Sequence, residues 1–344
     1  MASSRNSGST EPLLAAVAAC LRRHLQPHQA IVVGFSGGRD SLALLDALRA
    51  LQAEFLFVLS ASHVNHHLSP QAASWEAFCR RYCADAGIPL AVHHVEVPRD
   101  APEGLEAAAR ECRYRALACC DADWLAVAHH SGDQAETLLF NLVRGAGLNG
   151  AAGMQEARRL QEGGSLLRPL LTLSRKAIET YLERRELAWV DDESNHDTAF
   201  SRNFLRHEIV PLLASRFPAA EQKLAAAASR FAEAGALLDE LARCDLADQP
   251  PRFPLPLASL MGLSEERGRN LLRFLLTQHG IQIPSEQRLV EALRQLKQAR
   301  HDRHPSIAFG EARLYRHRGK VHLSASTGLR TAPPKSPELS RKLR

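Results

Sequence analysis

Six consecutive residues, Ser36–Ser41, combine two glycines, two serines, an arginine and an aspartate. Glycines let backbone N–H groups turn towards a bound anion, and serine hydroxyls add further hydrogen-bond donors. An apolar run, Ala30–Val33, precedes this loop, and a stretch of helical periodicity, Leu42–Leu51, follows it. A helix that starts at such a loop adds the positive end of its dipole. The segment is therefore predicted to bind a phosphate or pyrophosphate group.

The acidic residue in this loop, Asp40, points to a metal ion. A carboxylate repels phosphate unless a cation lies between them, and Mg²⁺ binds nucleotide phosphates together with one or two carboxylates. The loop contains no lysine and does not match G-x-x-x-x-G-K-[ST], which argues against γ-phosphoryl transfer of the Walker type. Asp40 is thus the predicted magnesium ligand. A helix cap rich in small residues is the alternative interpretation of the loop.

Short apolar runs alternate with stretches of helical periodicity over the first half of the chain. The predicted strands are Ala30–Val33, Phe55–Leu59, Leu90–Val97 and Trp124–Ala128. The predicted helices are Leu42–Leu51, Trp75–Ala86, Leu105–Cys120 and Gln134–Arg144. This alternation predicts an α/β fold, a doubly wound and mostly parallel sheet. The loops at Ser36–Ser41, His63–Ser69 and His129–Asp133 follow strands, so we expect them to face one crevice.

The second half of the chain has a different pattern. It contains an alanine-rich helical stretch, a proline-rich linker, a helical region and three short strands. These lie at 219–245, 250–256, 257–300, and near 307–309, 312–316 and 320–323. The predicted organisation is an N-terminal domain at 12–215, a helical connector at 216–250, a smaller C-terminal α+β domain at 251–326 and a disordered basic tail at 327–344.

Composition and charge narrow the class of protein. No stretch of about 18 uncharged apolar residues occurs, so we expect that the chain does not span a membrane. A cytoplasmic location is also expected. None of the seven cysteines forms a C-x-x-C pair, and reduced core thiols are the expectation. The net charge is +5, and residues 301–344 hold ten basic and three acidic side chains. An anionic partner such as RNA is expected at this end, with a solvated basic tail as the alternative.

Two further groups of residues could contact a nucleotide. Three histidines follow a predicted strand and are expected to line a base, with local hydrogen bonding as the alternative role. These are His63, His66 and His67. Glu106, Arg110 and Arg113 are spaced to share one helix face, where the arginines could hold phosphates. A surface pair between the acidic residue and the first arginine is the alternative.

The loop at Ser36–Ser41 resembles the SGGxDS signature of the PP-loop ATP pyrophosphatases, which cleave ATP between the α- and β-phosphates and transfer AMP to a carbonyl oxygen. Further segments resemble one family within that group, the tRNA(Ile)-lysidine synthetases. They are His63–Ser69, Gly104–Arg110 with Arg113 and Tyr114, His129–Thr137, Arg144–Leu148, Arg168–Leu171, and Asp191–Asn195 with Arg202, Asn203 and Arg206. Agreement runs from about residue 30 to residue 211. The stretch 255–323 is similar to the small substrate-binding domain of that family.

The resemblance implies ligation of L-lysine to carbon 2 of the wobble cytidine in tRNA-Ile with a CAU anticodon. The cytosine oxygen attacks the α-phosphate of ATP, and the lysine amine then displaces AMP, which changes decoding from AUG to AUA. The implied catalytic residues are Asp40, with Mg²⁺, and Asp133 as the base. The implied ATP-binding residues are Ser36, Gly37, Gly38, Arg39, Asp40, Ser41, His63, Arg110 and Arg113. The implied substrate and tRNA residues are His66, His67, Glu106, Gln134, Glu136, Arg144, Arg202 and Arg206.

Two features depart from the family pattern. The family usually has two adjacent aspartates before Gln134, and the first is replaced here by Gly132. Asp133 must then carry the role alone, or Asp191 and Asp192 assist. Asp191, Asp192 and Glu193 also form an acidic cluster that could attract the lysine ammonium, with a solvated acidic loop as the alternative. Many members also carry a second small C-terminal domain, which residues 331–344 do not resemble.

Two other functions remain open from the sequence. A PP-loop tRNA thiolase is the first, although members with an iron–sulfur step use paired cysteines. A degenerate protein that binds ATP or tRNA without turnover is the second, because of Gly132. A homodimer is one expectation for the assembly.

Overall fold

The computed structural model describes residues 11–98, 100–101, 104–118, 120–160, 163–191, 193, 198, 201–281, 285–299, 305–310 and 312–325. The chain divides into two compact units between Ala234 and Gly235. The first unit carries the residues that the sequence assigns to the phosphate site. No helix of the described residues is both long enough and apolar enough to cross a membrane.

The first unit is built on a six-stranded sheet in the order β3-β2-β1-β4-β6-β5. Its strands are β1 Ala30–Gly34, β2 Val58–Asn65, β3 Leu90–His94, β4 Trp124–Ala126, β5 Ala157–Arg159 and β6 Ser165–Leu167. All neighbouring pairs are parallel except β5 with β6. Its helices are α1 Pro12–His24, α2 Arg39–Phe55, α3 Ala72–Ala86, α4 Leu105–Ala118, α5 Ser131–Val143, α6 Leu148–Ala151, α7 Arg175–Arg184, α8 Ser201–Phe204 and α9 Val210–Arg216, with a π-helical turn at Leu205–Ile209.

Helices cover both faces of the sheet because side chains alternate along each strand. In β1, Ile31 and Val33 belong to the core formed with α1, α2, α3 and α7. Val32 points to the other face, where it joins a second cluster with Leu117 of α4. The predicted doubly wound, mostly parallel α/β sheet is confirmed.

Several predicted boundaries were wrong, and one error moves a site residue. The second strand was expected at 55–59, but α2 continues through Phe55 and ends at Leu56, whose φ is 53°. The helix formers between 51 and 55 carry the helix on until this left-handed residue stops it. The strand therefore runs over Val58–Asn65, so His63 lies on β2 rather than in the following loop. The short strands β5 and β6 were not predicted.

The second unit contains the end of α10 and a small antiparallel sheet. Its elements are α10 Ala220–Leu246, which begins in the first unit, β7 Leu255–Pro256, α11 Ala258–Met261, α12 Glu265–Gln278, α13 Glu286–Gln298, β8 Ser306–Phe309, β9 Ala312–His317 and β10 Lys320–Ala325. The sheet order is β7-β10-β9-β8. Leucines of α12 and α13 pack with Leu314 and Val321 of the sheet. The predicted α+β character of this region is confirmed, whereas β7 lies where the sequence indicated the end of a linker.

Candidate active site

The candidate site lies where the order of strands reverses. From β1 the chain proceeds to β2 and β3 on one side, and it returns to pair β4 with the other side of β1. Crevices of this kind form at the carboxyl ends of the two adjacent strands. The Ser36–Ser41 loop follows β1, and the segment from His129 into α5 follows β4. The two most specific motifs in the sequence therefore meet at this crevice.

The loop after β1 holds its shape through its own hydroxyl groups. Ser36 Oγ lies 3.1 Å from Ser41 Oγ and accepts a hydrogen bond from the Gly38 N–H at 3.3 Å. Ser41 Oγ in turn donates to the Gly38 carbonyl at 2.9 Å. The Gly37 carbonyl accepts from the Val190 N–H at 3.0 Å, so a distant segment fixes the outer side of the loop. The arrangement places a glycine-rich turn directly at the start of α2.

Gly37 is required by both conformation and space. Its φ is +83°, and a Cβ at this position would lie 3.1 Å from Cys79 Sγ and 3.2 Å from a ring carbon of Phe78. Any other residue would have to adopt a left-handed conformation while pressing on α3. The sequence identified the glycine but not the helix that packs against it.

Asp40 occupies the first turn of α2 with its carboxylate partly exposed. Arg39 Nε donates to Asp40 Oδ1 at 3.0 Å, and the same guanidinium donates to Glu179 Oε1 at 2.7 Å. One arginine therefore serves two carboxylates, which leaves negative charge at Asp40. A single accessible carboxylate beside a glycine loop suits Mg²⁺, which takes its remaining ligands from phosphate and water.

Three charged side chains form the opposite side of the crevice. Arg206 Nε donates to Glu136 Oε1 at 2.7 Å, and Arg206 Nη2 donates to Asp133 Oδ1 at 2.9 Å and Glu136 Oε2 at 3.0 Å. Asp133 and Glu136 lie one turn apart on α5, and Arg206 comes from the π-helical turn. The sequence singled out all three residues, and the structure brings them into direct contact.

The two carboxyl groups differ in their protonation behaviour. Burial raises the pKa of Glu136 above its ordinary value, although the Arg206 guanidinium opposes this shift. Burial acts in the same direction on Asp133, but electrostatic interactions with His130, His129 and Arg206 and the hydrogen bond from the His130 backbone N–H outweigh it and lower the pKa of Asp133. Neighbouring carboxyl groups with opposite shifts are typical of sites that divide acid–base roles.

His130 connects the two sides of the crevice. It caps α5: its Nδ1 accepts from the Gly132 N–H at 3.0 Å, and its own N–H donates to Asp133 Oδ2 at 2.9 Å. Because Nδ1 is an acceptor, the neutral ring carries its proton on Nε2. This nitrogen lies 3.9 Å from Asp40 Oδ2 and 3.7 Å from Asp133 Oδ2. The ring was not among the sequence-predicted site residues, although its motif was noted.

The three predicted histidines have different surroundings. His63 is buried, and its Nδ1 donates to the Phe35 carbonyl at 2.9 Å. The buried Nδ1 of His66 has no hydrogen-bond partner among the described residues, and burial, together with the Arg113 charge, lowers the pKa of His66 to about 4. His67 is exposed and stacks on His94 at 5.0 Å. Of these three histidines, only half-buried His66 has a buried ring nitrogen without a partner among the described residues.

A buried arginine, Arg168, was missed as a site residue. It is 4% exposed, and it donates from Nε to His129 Nδ1 at 3.0 Å and from Nη1 to the Gln155 carbonyl at 2.6 Å. Burial and the Arg168 and Arg110 charges, opposed by Asp133, lower the pKa of His129 to about 3. His129 is therefore neutral at pH 7 and presents its Nε2 proton as a donor. The Arg168–Leu171 motif was the available signal in the sequence.

The remaining predicted site residues do not form a single cluster. Arg110 stacks over Tyr114 at 5.1 Å, and Arg144 and Arg202 both lie over the Phe140 ring, at 4.9 Å and 5.7 Å. Arg113 is exposed on α4, while the side chain of Glu106 and the whole of Asp192 fall outside the described residues.

Gln134, which the sequence assigned to the substrate or tRNA, contacts the backbone of Met154. Its amide nitrogen donates to the Met154 carbonyl at 2.8 Å, and its oxygen accepts from the Met154 N–H at 2.6 Å. The side chain is 4% exposed, so these backbone bonds occupy its amide inside the protein. Through these hydrogen bonds, Gln134 connects α5 to the segment that follows α6.

One other group of possible metal ligands occurs in the described part of the chain. Cys20, His24 and Glu156 bring their ligand atoms within 4.8 Å of one another. Arg23 already donates to both oxygens of Glu156, at 3.1 Å and 2.6 Å. The arginine compensates the carboxylate charge that a cation would need, so this group is a structural cluster.

Comparison with known proteins agrees with this architecture. A family model described as the PP-loop domain matches residues 11–213, and one described as the TilS substrate binding domain matches residues 255–322. Among solved structures, the U34-tRNA thiolase NcsA from Methanococcus maripaludis superposes with a TM-score of 0.55 at 18% identity. That match covers 64% of this chain and 78% of the thiolase. At this identity the likeness extends to the fold alone.

Relatives by sequence are more specific. The tRNA(Ile)-lysidine synthase of Alkalilimnicola ehrlichii is 44% identical over 88% of this chain and 69% of its own length. Those of Aromatoleum aromaticum and Nitrosomonas europaea are 47% and 40% identical, over 79% and 90% of this chain and 63% and 68% of their own lengths. The chain thus spans about two thirds of the length of these relatives. Since both family models and these identities agree, the chain belongs to the tRNA(Ile)-lysidine synthase family.

Proposed function

We propose that this protein uses ATP to attach L-lysine to carbon 2 of the wobble cytidine in tRNA-Ile with a CAU anticodon. The observation that carries the proposal is the meeting of two groups at one crevice. Asp40 of the glycine loop and Asp133 of α5 lie 3.9 Å and 3.7 Å from the same nitrogen of His130. A phosphate-binding loop and a carboxylate pair are thereby placed within reach of one substrate.

The phosphate side serves the first step. The cytosine oxygen forms a bond to the α-phosphorus while the bond to the β-phosphate oxygen breaks, which releases pyrophosphate. Donors from Ser36, Gly37, Gly38 and Ser41 stabilise the charge of the departing group. Asp40 would hold Mg²⁺, which supplies Lewis-acid stabilisation to the phosphate oxygens. Arg39 limits the repulsion between Asp40 and the incoming nucleotide.

The carboxylate side serves the second step. The lysine amine nitrogen forms a bond to carbon 2, AMP leaves, and the amine loses a proton. The sequence favours Asp133 as the acceptor of that proton, but its lowered pKa makes it a weak base. Glu136 has a raised pKa and is the better acceptor. We assign Asp133 to holding the ammonium group and Glu136 to receiving the proton.

Basic side chains of the first unit are assigned to binding the nucleic acid. Arg110 and Arg113 lie on α4, Arg202 lies on α8, and Arg144 follows the C-terminal end of α5. These arginines suit phosphates of ATP or of the anticodon loop. A base that leaves the single-stranded loop can stack on or hydrogen-bond to side chains in the crevice. His66, with its buried unused nitrogen, is our choice for that contact. The region matched by the substrate-binding family model would hold the rest of the tRNA.

The experiment that tests this function is a two-readout assay. The full chain is incubated with ATP, Mg²⁺, a CAU-anticodon tRNA-Ile transcript and radiolabelled lysine, and pyrophosphate and tRNA-bound label are measured. Label in the tRNA, with the cytidine mass increased by that of a lysyl residue, is expected. Pyrophosphate without label would indicate another nucleophile, as in a thiolase. Neither product, with tRNA still bound, would indicate a binding protein.

Asp40→Asn provides the matched variant test. It removes the carboxylate charge while keeping the side-chain shape, so pyrophosphate release is expected to fall by about 100-fold or more because the phosphate charge is no longer bridged. Asp85→Asn on the exposed surface of α3 makes the same chemical change and is expected to leave the rate unchanged. Equal rates for the two variants would remove Asp40 from the mechanism.

A further inference from the structure

A carboxylate from outside the predicted motifs reaches the start of α5. Glu221, in the first turn of α10, accepts a hydrogen bond from Ser131 Oγ at 2.8 Å. Ser131 is the first residue of α5 and is 4% exposed. Within the described part of the chain, Glu221 forms no ion pair with a basic residue. Its only polar side-chain partner in those residues is this neutral hydroxyl.

Glu221 and His130 approach position 132 closely because residue 132 is glycine. A Cβ on Gly132 would lie 3.5 Å from Glu221 Oε1 and 2.7 Å from His130 Cε1. The Glu221 carboxylate and the His130 ring therefore border the same small volume beside the α5 N-terminus. The side chain missing from position 132 would project into that volume. The Gly132 φ is not in the left-handed region, so no backbone requirement explains the glycine.

Acidic side chains outnumber their described basic partners around this volume. Asp133 and Glu136 share one guanidinium, that of Arg206, and Asp40 shares Arg39 with Glu179. Glu221 adds a further carboxylate that no described basic side chain neutralises. The Glu221 side chain is half-buried, and neighbouring carboxylates with too few basic partners attract a cation by simple Coulomb interaction. With Mg²⁺ assigned to the phosphate side, the remaining cation of the proposed reaction is the amino acid.

We propose that Glu221 supplies the carboxylate that residue 132 lacks and that it binds an ammonium group of the lysine substrate. The chain thus provides from α10 a negative charge that position 132 of α5 does not provide. This inference rests on the proposed function. It adds a specificity-determining residue for the amino acid, and it leaves the adenylation step to the glycine loop.

The test compares Glu221→Gln with two matched variants. The glutamine still accepts the Ser131 hydrogen bond but carries no charge, and Glu233→Gln makes the same change on an exposed position of α10. For Glu221→Gln we expect the KM for lysine to rise about tenfold, the size expected for one lost charge-assisted hydrogen bond. The KM for ATP and the lysine-independent release of pyrophosphate on tRNA are expected to remain unchanged. Glu233→Gln is expected to match the unmodified chain in every readout.

Ser131→Ala separates charge from positioning. It removes the hydrogen bond but leaves the Glu221 charge, so its KM for lysine is expected to change by less than about threefold. Glu221→Asp keeps the charge and is expected to recover most of the lost affinity. Equal lysine KM values for Glu221→Gln and Glu233→Gln would overturn the inference while lysine incorporation by the unmodified chain still stood. Equal effects of Ser131→Ala and Glu221→Gln on the KM for lysine would show that Glu221 only positions α5, and would overturn the inference that it binds the ammonium group. An unmodified chain that incorporates no lysine would overturn the proposed function and this inference together.

Discussion

Arg206 links the chemistry of the site to the stability of the fold. It is the basic partner of both Asp133 and Glu136, and Glu136 is 3% exposed. Removing one member of a buried charged group leaves the others unpaired, which costs more than the group contributed while complete. The same arginine also moderates the upward shift in the pKa of Glu136.

Arg206→Met is predicted to lower both stability and activity. The free energy of unfolding should fall by about 2–4 kcal/mol, because Asp133 and Glu136 lose their shared counter-charge. Urea denaturation followed by circular dichroism measures this change. Arg216→Met, at an exposed position of α9, is the control and should alter stability by less than about 0.5 kcal/mol. A stable Arg206→Met variant would mean that water or another cation solvates the carboxylates.

His129 is predicted to make stability fall in mild acid. Its pKa of about 3 in the folded protein lies below the ordinary value of 6.5, so the unfolded chain binds a proton that the folded chain does not. The contribution of this group is complete above about pH 6.5 and declines as the pH falls, reaching a loss of at most about 2 kcal/mol at pH 5. Urea denaturation at pH 8 and pH 5 measures the loss.

The matched variants for this pH effect are His129→Gln and His28→Asn. The first keeps an acceptor for Arg168 Nε but cannot titrate, so its stability should depend less on pH than that of the unmodified chain. The second removes an exposed histidine whose φ is 67°, a conformation that asparagine tolerates. It should retain the full pH dependence. The same pH dependence in all three proteins would exclude His129 as its source.

At the scale of elements, the turn from β1 into α2 determines the phosphate site. Its glycine is constrained twice, by a φ of +83° and by the packing of α3 against the loop. Gly87, which caps the other end of α3, has a similar φ of +69° but nothing within 4 Å of an added Cβ. Substituting each glycine in turn therefore distinguishes the cost of the left-handed conformation, which both share, from the cost of steric contact, which only Gly37 has.

Gly37→Ala is predicted to be more harmful than Gly87→Ala. Both substitutions place alanine in a left-handed conformation at a cost of about 1 kcal/mol. Gly37→Ala adds contact with Cys79 and Phe78, so we expect a further loss of about 1 kcal/mol or more and a raised KM for ATP. Thermal unfolding and pyrophosphate release measure the two effects. Similar behaviour of the two variants would show that the loop yields to the extra carbon.

At the scale of the whole molecule, each unit has a core of its own. The first surrounds the parallel sheet, and the second joins Leu271, Leu275 and Leu293 to its antiparallel sheet. Each domain is therefore expected to be stabilised by its own buried apolar surface.

The predicted domain limits at 215, 250 and 326 remain predictions, and limited proteolysis with mass spectrometry tests them. The predicted homodimer is tested by sedimentation equilibrium.

The basic end of the chain is predicted to contribute to tRNA binding electrostatically. Residues 327–344, which lie outside the described residues, carry five basic side chains and one acidic side chain. Deleting them should weaken tRNA affinity and make its dependence on salt less steep, since each phosphate contact contributes about 0.7–0.9 to the logarithmic slope. Filter binding from 50 mM to 300 mM salt measures the slope. Replacing the five basic residues with glutamine should reproduce the deletion; an unchanged slope in either protein would contradict the prediction.

The sequence alone determined the doubly wound α/β fold, the glycine loop and most of the charged residues at the crevice. These features depend on local patterns: alternation of strand and helix, glycines at a turn, and motifs of fixed spacing. The alternation of Ile31, Val32 and Val33 between two cores likewise follows from strand geometry. The end of α2 was misplaced because a single left-handed residue, Leu56, decides it, and leucine carries no signal for that conformation.

Only the tertiary structure decided which charges compensate one another. Arg206 and Asp133 are 73 residues apart, and Glu221 and Ser131 are 90 residues apart; no spacing rule connects such pairs. The same is true of Gln134, whose amide the sequence assigned to a substrate and the fold directs to the Met154 backbone. Local sequence specifies which groups are present, whereas burial and long-range packing set their partners and pKa values and thereby their chemical roles.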